Sequence, residues 1–151
     1  MRIVVDDLSG PEVAALLDEH LEEMRSVSPP ESKHALDLDG LRRPEVTFWT
    51  VRDGSALLGC GALLELDPGH GEIKSMRTAS AHQGRGVGST LVTHVVAEAR
   101  RRGYRRLSLE TGSSAHFAPA RRLYARHGFV ACPPFGDYPD DPHSAHMTLV
   151  L

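Results

Sequence analysis

Gln83, Gly84, Arg85, Gly86, Val87 and Gly88 lie between a strand-like run and the start of an amphipathic helix. Glycine lets a backbone come close to a bound group, and the first amides of a helix lack intrahelical partners and carry the positive end of its dipole. Such a turn suits a diphosphate. Read by itself, it serves equally well as a tight strand-to-helix connection. Two other phosphate motifs fail on residue type. A Walker A loop needs Gly-Lys-Ser/Thr, and the dinucleotide fingerprint Gly-x-Gly-x-x-Gly needs glycine where Ser89 stands.

Three further side chains have the right chemistry for proton transfer. Tyr124 sits on a helical segment, where its phenol either donates a proton or packs half-buried with its hydroxyl in water. Glu72 opens the strand that runs into the glycine turn, and Glu110 ends the next strand. Each carboxylate reads as a base or as a solvated strand end. The nine histidines include no His-x-x-x-His pair and no accompanying cysteine ligands, so no metal site is expected.

The surrounding pattern is a mixed α/β order. A β-branched run at 2–5 precedes Ser9, Gly10 and Pro11, which signal a helix carrying Val13, Leu16, Leu17, His20, Leu21 and Met24. Ser32 is placed to cap a shorter helical piece that ends before Pro44. Strands are predicted over 46–52 and 56–66 about an Asp53-Gly54 hairpin turn, and over 72–78. Val87, Leu91, Val92, Val95, Val96 and Ala99 trace one helix face, ended by three arginines and Gly103. A strand at 106–110, a helix at 119–127, a brief strand at 129–131 and a last strand at 146–151 complete the order.

Size and composition bound the class. The 151 residues suit one domain, and 40% apolar with 25% charged residues is a globular balance. With 17 basic and 20 acidic side chains the net charge is −3, which gives no basis for nucleic-acid binding. No segment approaches the roughly 20 apolar residues of a membrane span. The two cysteines, Cys60 and Cys132, read as free thiols, and a cytoplasmic location is expected.

The glycine turn together with Ala120-Arg121-Arg122-Leu123-Tyr124-Ala125-Arg126-His127-Gly128-Phe129 resembles the GNAT superfamily of N-acetyltransferases. In that family a loop Gln/Arg-x-x-Gly-x-Gly/Ala precedes a helix, and a later helix reads Ala-x-x-Leu-Tyr-x-x-x-Gly-Phe. The resemblance covers nearly the whole chain and implies a single N-acetyltransferase domain over 1–151 with an α/β GNAT fold. The central sheet would be mixed and mostly antiparallel, with about seven strands, splayed in the middle and flanked by about four helices.

The resemblance also implies acetyl-CoA as cofactor. Its diphosphate would rest on the main chain of 83–88 and on Ser89, with Arg85 adding charge, while Ser75, Met76, Arg77 and Thr78 offer main-chain groups to the pantetheine and thioester. Tyr124 becomes the general acid and a cofactor contact, Glu72 the candidate base and Glu110 the reserve. Phe117 stands where many relatives place an asparagine that bonds the pantetheine. Ser113, Ser114 or the main chain near Thr111 would have to substitute, and the 3′-phosphate would fall to Arg100–Arg102 or to Arg121, Arg122 and Arg126.

The acceptor pocket is expected from 21–41, with Arg25, Glu31 and His34, and from 133–143, with Asp137, Tyr138, Asp140 and Asp141. An α-amine near pKa 8 costs only about 1.4 kcal/mol to deprotonate at pH 7, against about 4 to 5 for a lysine. The expected reaction is therefore acetyl transfer to the primary amine of a small molecule, amino-acid-like ones included, by direct attack in a ternary complex. A protein or peptide acetyltransferase and a non-catalytic acyl-CoA sensor are the alternatives, and Tyr124 argues against the sensor. The family also makes a homodimer an option.

Overall fold

The computed structural model describes residues 1–28 and 36–151. Strand β1 (Arg2–Val5) leads to helix α1 (Pro11–Val27), short helix α2 (Leu38–Leu41), and strands β2 (Val46–Asp53), β3 (Ala56–Asp67) and β4 (His70–Thr78). Then follow α3 (Val87–Arg101), β5 (Arg106–Gly112), α4 (Ala118–Arg126), β6 (Val130–Ala131) and β7 (Ser144–Val150). The seven strands form one sheet in the order β1-β2-β3-β4-β5-β7-β6, antiparallel throughout except where β4 meets β5. No helix among the described residues is long and apolar enough to cross a membrane.

Alternation along the strands sends side chains to two faces. On one face Leu63, Ile73, Leu107, Leu109 and Met147 pack against Val92, Val95, Val96 and Ala99 of α3 and Tyr124 of α4. Each fully buried Val or Leu there contributes roughly 1.5–3 kcal/mol. On the other face Cys60 and Ala62 meet Val13, Leu16 and Leu17 of α1. The same alternation turns Glu72, Lys74, Ser108 and Glu110 away from α3, onto the face of the sheet that α1 and the segment 133–143 overlie.

β4 and β5 pair over only four positions, His70↔Arg106 to Ile73↔Leu109. Beyond them β4 continues along β3 while β5 continues along β7, so the sheet divides. β4 also carries one extra residue opposite β3: Cys60 pairs with Arg77, but Ala62 pairs with Lys74. The bulge includes Ser75 at φ 56°, a left-handed conformation that costs on the order of 1 kcal/mol in a residue other than glycine. Gly61 makes room for it, because a Cβ there would lie 2.5 Å from Met76 Sδ.

Some expected boundaries move. The predicted 106–110 strand runs on to Gly112 because Thr111 and Gly112 pair with Ala145 and Ser144, a partner that the local Thr-Gly-Ser sequence does not announce. Strand 72–78 starts at His70, and the last strand spans Ser144–Val150. α2 is capped by Asp37, whose side chain accepts from the Gly40 amide at 2.9 Å; the expected Ser32 cap lies outside the described residues.

Gly71 lies in the short paired section of β4, and a Cβ there would come within 2.8 Å of Tyr104 and 2.9 Å of Leu63. Gly71→Ala should therefore destabilise the protein by about 1–3 kcal/mol, seen as a lower urea midpoint at unchanged slope.

Candidate active site

The split between β4 and β5 opens into a cavity of about 730 Å³. At one end lies the glycine turn. Gly84 (φ 80°) and Gly86 (φ 79°) are in the left-handed region, and no atom lies within 4 Å of where either side chain would begin. Gly86 caps α3 without a side-chain hydrogen bond, and the first intrahelical bond is Thr90 N–H to Gly86 O. The amides of Val87, Gly88 and Ser89 thus carry no helical partner, while the turn above them is bare. Gln83, Gly84, Gly86, Val87, Gly88 and Ser89 all line the cavity.

Arg85 does not. Its guanidinium turns aside to Asp53 at 3.1 Å and His82 at 3.0 Å, across the β2–β3 hairpin. Of the arginines considered for a 3′-phosphate, Arg101 and Arg102 bond Glu98 at the far end of α3, roughly 20 Å along the helix from the turn. Arg121 braces the carbonyls of Gly112 and Ser114, and Arg126 borders the cavity.

The cavity wall is the bulged part of β4. Ser75, Met76, Arg77 and Thr78 line it, and so do Leu123 and Tyr124 of α4. The Arg77 side chain, 9% exposed, holds Glu19 at 2.5 Å and also Glu23, fastening α1 to β4 just beyond the bulge. Phe117 lines the cavity too and packs directly on Gly112, where a Cβ would collide with its ring. Ser113 spends its hydroxyl on Pro142 O at 2.6 Å, Arg121 takes the carbonyls of Gly112 and Ser114, and Thr111 pairs with Ala145 of β7.

Tyr124 is 6% exposed, edge-on to Phe129, and its hydroxyl has no hydrogen-bond partner among the described residues. Burial pushes its phenol above the usual tyrosine range, so it stays protonated.

Glu72, Lys74, Glu110 and Tyr138 meet at the other end. Glu72 is 3% exposed; the Tyr138 hydroxyl donates to its Oε2 at 2.5 Å and Lys74 Nζ to the same oxygen at 3.3 Å. Lys74 also donates to the Tyr138 hydroxyl at 2.9 Å. Burial and the adjoining Glu72 charge drive the Tyr138 phenol upward. Glu110 lacks such close cationic support: burial raises its carboxyl to about 7, partly opposed by Ser144 and by Lys74. His20 of α1 lines the cavity and is lowered to about 4 by burial, with Arg77 adding to the effect.

Of the expected acceptor residues, Glu110 and Tyr138 reach this end, whereas Arg25 lies on the exposed side of α1, bonded to Glu22 at 2.9 Å. Glu31 and His34 lie outside the described residues. Sequence reasoning passes over Lys74, although its position two residues after Glu72 puts both on one strand face. It also passes over His20 and Glu23, which line the cavity from α1.

Residues 13–129 match the Acetyltransferase (GNAT) family. The chain is 56% identical over 151 residues, all of both proteins, to the Bacillus subtilis protein called "Uncharacterized N-acetyltransferase YsnE". It is 35% identical over 140 residues, 92% of this chain and 90% of the relative, to the IAA acetyltransferase of Azospirillum brasilense. A solved Bacillus subtilis acetyltransferase in complex with CoA shares the fold at TM-score 0.71 and 19% identity, covering 99% of this chain and 98% of that one. The chain belongs to the GNAT family and is an acyltransferase.

A carboxyl that ionises at about 7 when folded and near 4.5 when unfolded favours folding at low pH, and this contribution is lost as pH rises through 7. Glu110→Gln should therefore gain stability relative to wild type between pH 4 and pH 8, on the order of 2 kcal/mol after solvent screening, in urea titrations at the two pH values.

Proposed function

We propose that this protein is an acetyl-CoA-dependent N-acetyltransferase that acetylates the primary amine of a small molecule by direct attack, with both substrates bound. The observation that carries this reading is one cavity holding the open amide turn, Tyr124 and Glu110 together. The bare Gly84–Gly86 backbone and the uncapped start of α3 fit a diphosphate, and the split leading away from them fits an extended thiol-bearing arm. A CoA complex in a structure of the same fold supports the same choice.

Bound acetyl-CoA supplies a thioester, whose carbonyl carbon accepts the amine's electron pair as the carbon–sulfur bond breaks. Glu110 takes the proton that the attacking nitrogen must lose, and its midpoint near 7 leaves it largely ionised just above neutrality. Tyr124 enters the step protonated and gives its proton to the departing sulfur, a stronger base in this desolvated setting than in water. Main-chain groups of 75–78 hold the arm, and Phe117 gives it an apolar wall. Glu72, already bonded to Lys74 and Tyr138, is less suited than Glu110 to the role of base.

Tyr138 reaches across the acceptor end to Glu72, which supports a small acceptor over a peptide. Purified protein, acetyl-CoA and a panel of small amines and peptides, with released thiol as readout, test the assignment. IAA, for which the Azospirillum relative is named, belongs in that panel. Turnover with peptides alone would contradict the small-molecule reading.

Tyr124→Phe should lower kcat roughly 10²- to 10³-fold while CoA affinity, measured by calorimetry, stays near wild type. Gly86→Val should do the reverse, weakening CoA binding because a β-branched residue resists φ 79° and covers the amides.

A further inference from the structure

Lys74 has two carboxyls within its field and is bonded to only one of them. β4 and β5 pair up to Ile73↔Leu109, so the next positions along the two strands, Lys74 and Glu110, face each other across the opening split, on the same side of the sheet as Glu72. A lysine beside a buried carboxylate at the mouth of a substrate cavity would ordinarily pair with it. Yet no ion pair within 4 Å joins Lys74 to Glu110 among the described residues. The ammonium, on a side chain 9% exposed, is held instead by Glu72 Oε2 and by the Tyr138 hydroxyl, and it lies 5.5 Å from the centre of the Tyr138 ring.

Tyr138 reaches this point from the segment between β6 and β7. Its ring is wedged edge-on against Phe135 and His146, and Phe135 packs in turn on His70. The hydroxyl is therefore presented by a packed aromatic cluster. One oxygen donates to Glu72 and accepts from Lys74, closing a three-membered ring of hydrogen bonds.

We propose that Tyr138 is a positioning residue: by bridging Glu72 and Lys74 it holds the ammonium off Glu110 and so keeps that carboxylate free to take the acceptor's proton. This rests on the reading of Glu110 as the base. Were Lys74 to swing to Glu110, the carboxylate would be neutralised by an ion pair, its basicity would fall and its oxygens would be occupied. Placed on Glu72 at the next same-face position, the same charge still offsets the burial of Glu110 without bonding it.

The other groups that act on Glu110 are the Ser144 side chain, which favours its ionised form, and Glu72, Asp141 and Tyr138. His146 is its register partner on β7, and His143, His20, Glu23 and His116 line the same cavity. Arg77 is already held by Glu19 and Glu23, and Lys74 is the cation whose charge acts on Glu110.

The test is the pH dependence of kcat for the full-length protein with its best amine, alongside a carbon-13 titration of the Glu110 carboxyl without substrates. In Tyr138→Phe the ammonium loses one of its two partners and moves toward Glu110, so both the acid limb and the carboxyl midpoint should shift about one unit to lower pH, with a fall in kcat larger than any change in KM. Lys74→Met should move both to higher pH. The double variant should follow Lys74→Met, because Tyr138 acts through Lys74. A Tyr138→Phe midpoint equal to wild type, or a double variant whose shift is the sum of the two singles, would overturn the proposal. Midpoints that move as stated while the rate limb stays fixed would leave the Tyr138 role standing and remove Glu110 as the base. Tyr138→Trp, which keeps an aromatic but no hydroxyl, guards against misfolding of Tyr138→Phe and should shift the midpoint in the same direction.

Discussion

The parallel contact between β4 and β5 lasts four residues, and the rest of the site depends on its ending there. A longer pairing would zip Lys74 to Glu110 and seal the sheet, as adjacent strands ordinarily do. Each strand instead keeps its other neighbour, β3 on one side and β7 on the other, so the divergence leaves no long unpaired edge on the outer sides. The bulge at Ser75 adds bend to β4 at the point of departure. The backbone groups freed on the inner sides then face a cavity rather than each other, and that cavity runs from the start of α3 to the segment before β7.

Two carboxyls on one face of this opening have different surroundings. Glu72 is nearly inaccessible and would be costly there without partners; Lys74 and Tyr138 supply them. Glu110 is buried with less support and is pushed up to about 7. Tyr124 completes the arrangement from the opposite wall, where burial alone keeps its phenol protonated.

Much of this was legible in the chain. Alternating apolar residues, the Asp53-Gly54 turn and the stop at Gly103 give the element order, and the turn 83–88 with the Tyr124 helix gives the family and one end of the cavity. What could not be read is what depends on residues far apart in sequence. Nothing local joins Tyr138 to Glu72, 66 positions away, so the partners that surround Glu72 do not show in the strand it opens. Arg25 falls on the outer side of α1 because the face of that helix is set by packing of Val13, Leu16 and Leu17 on β3, which brings His20 and Glu23 inward in its place. The Ser75 bulge is likewise silent in composition, since its cause is the register against β3.

The central claim is that the amides at the start of α3 and the diverging part of β4 together grip CoA. Hydrogen exchange resolved by residue, with and without saturating CoA, addresses both at once. The account predicts slowed exchange at 83–89 and at 74–78, with β1 and β2 unchanged. Full protection at other places, with these two segments exchanging as in the free protein, would contradict it.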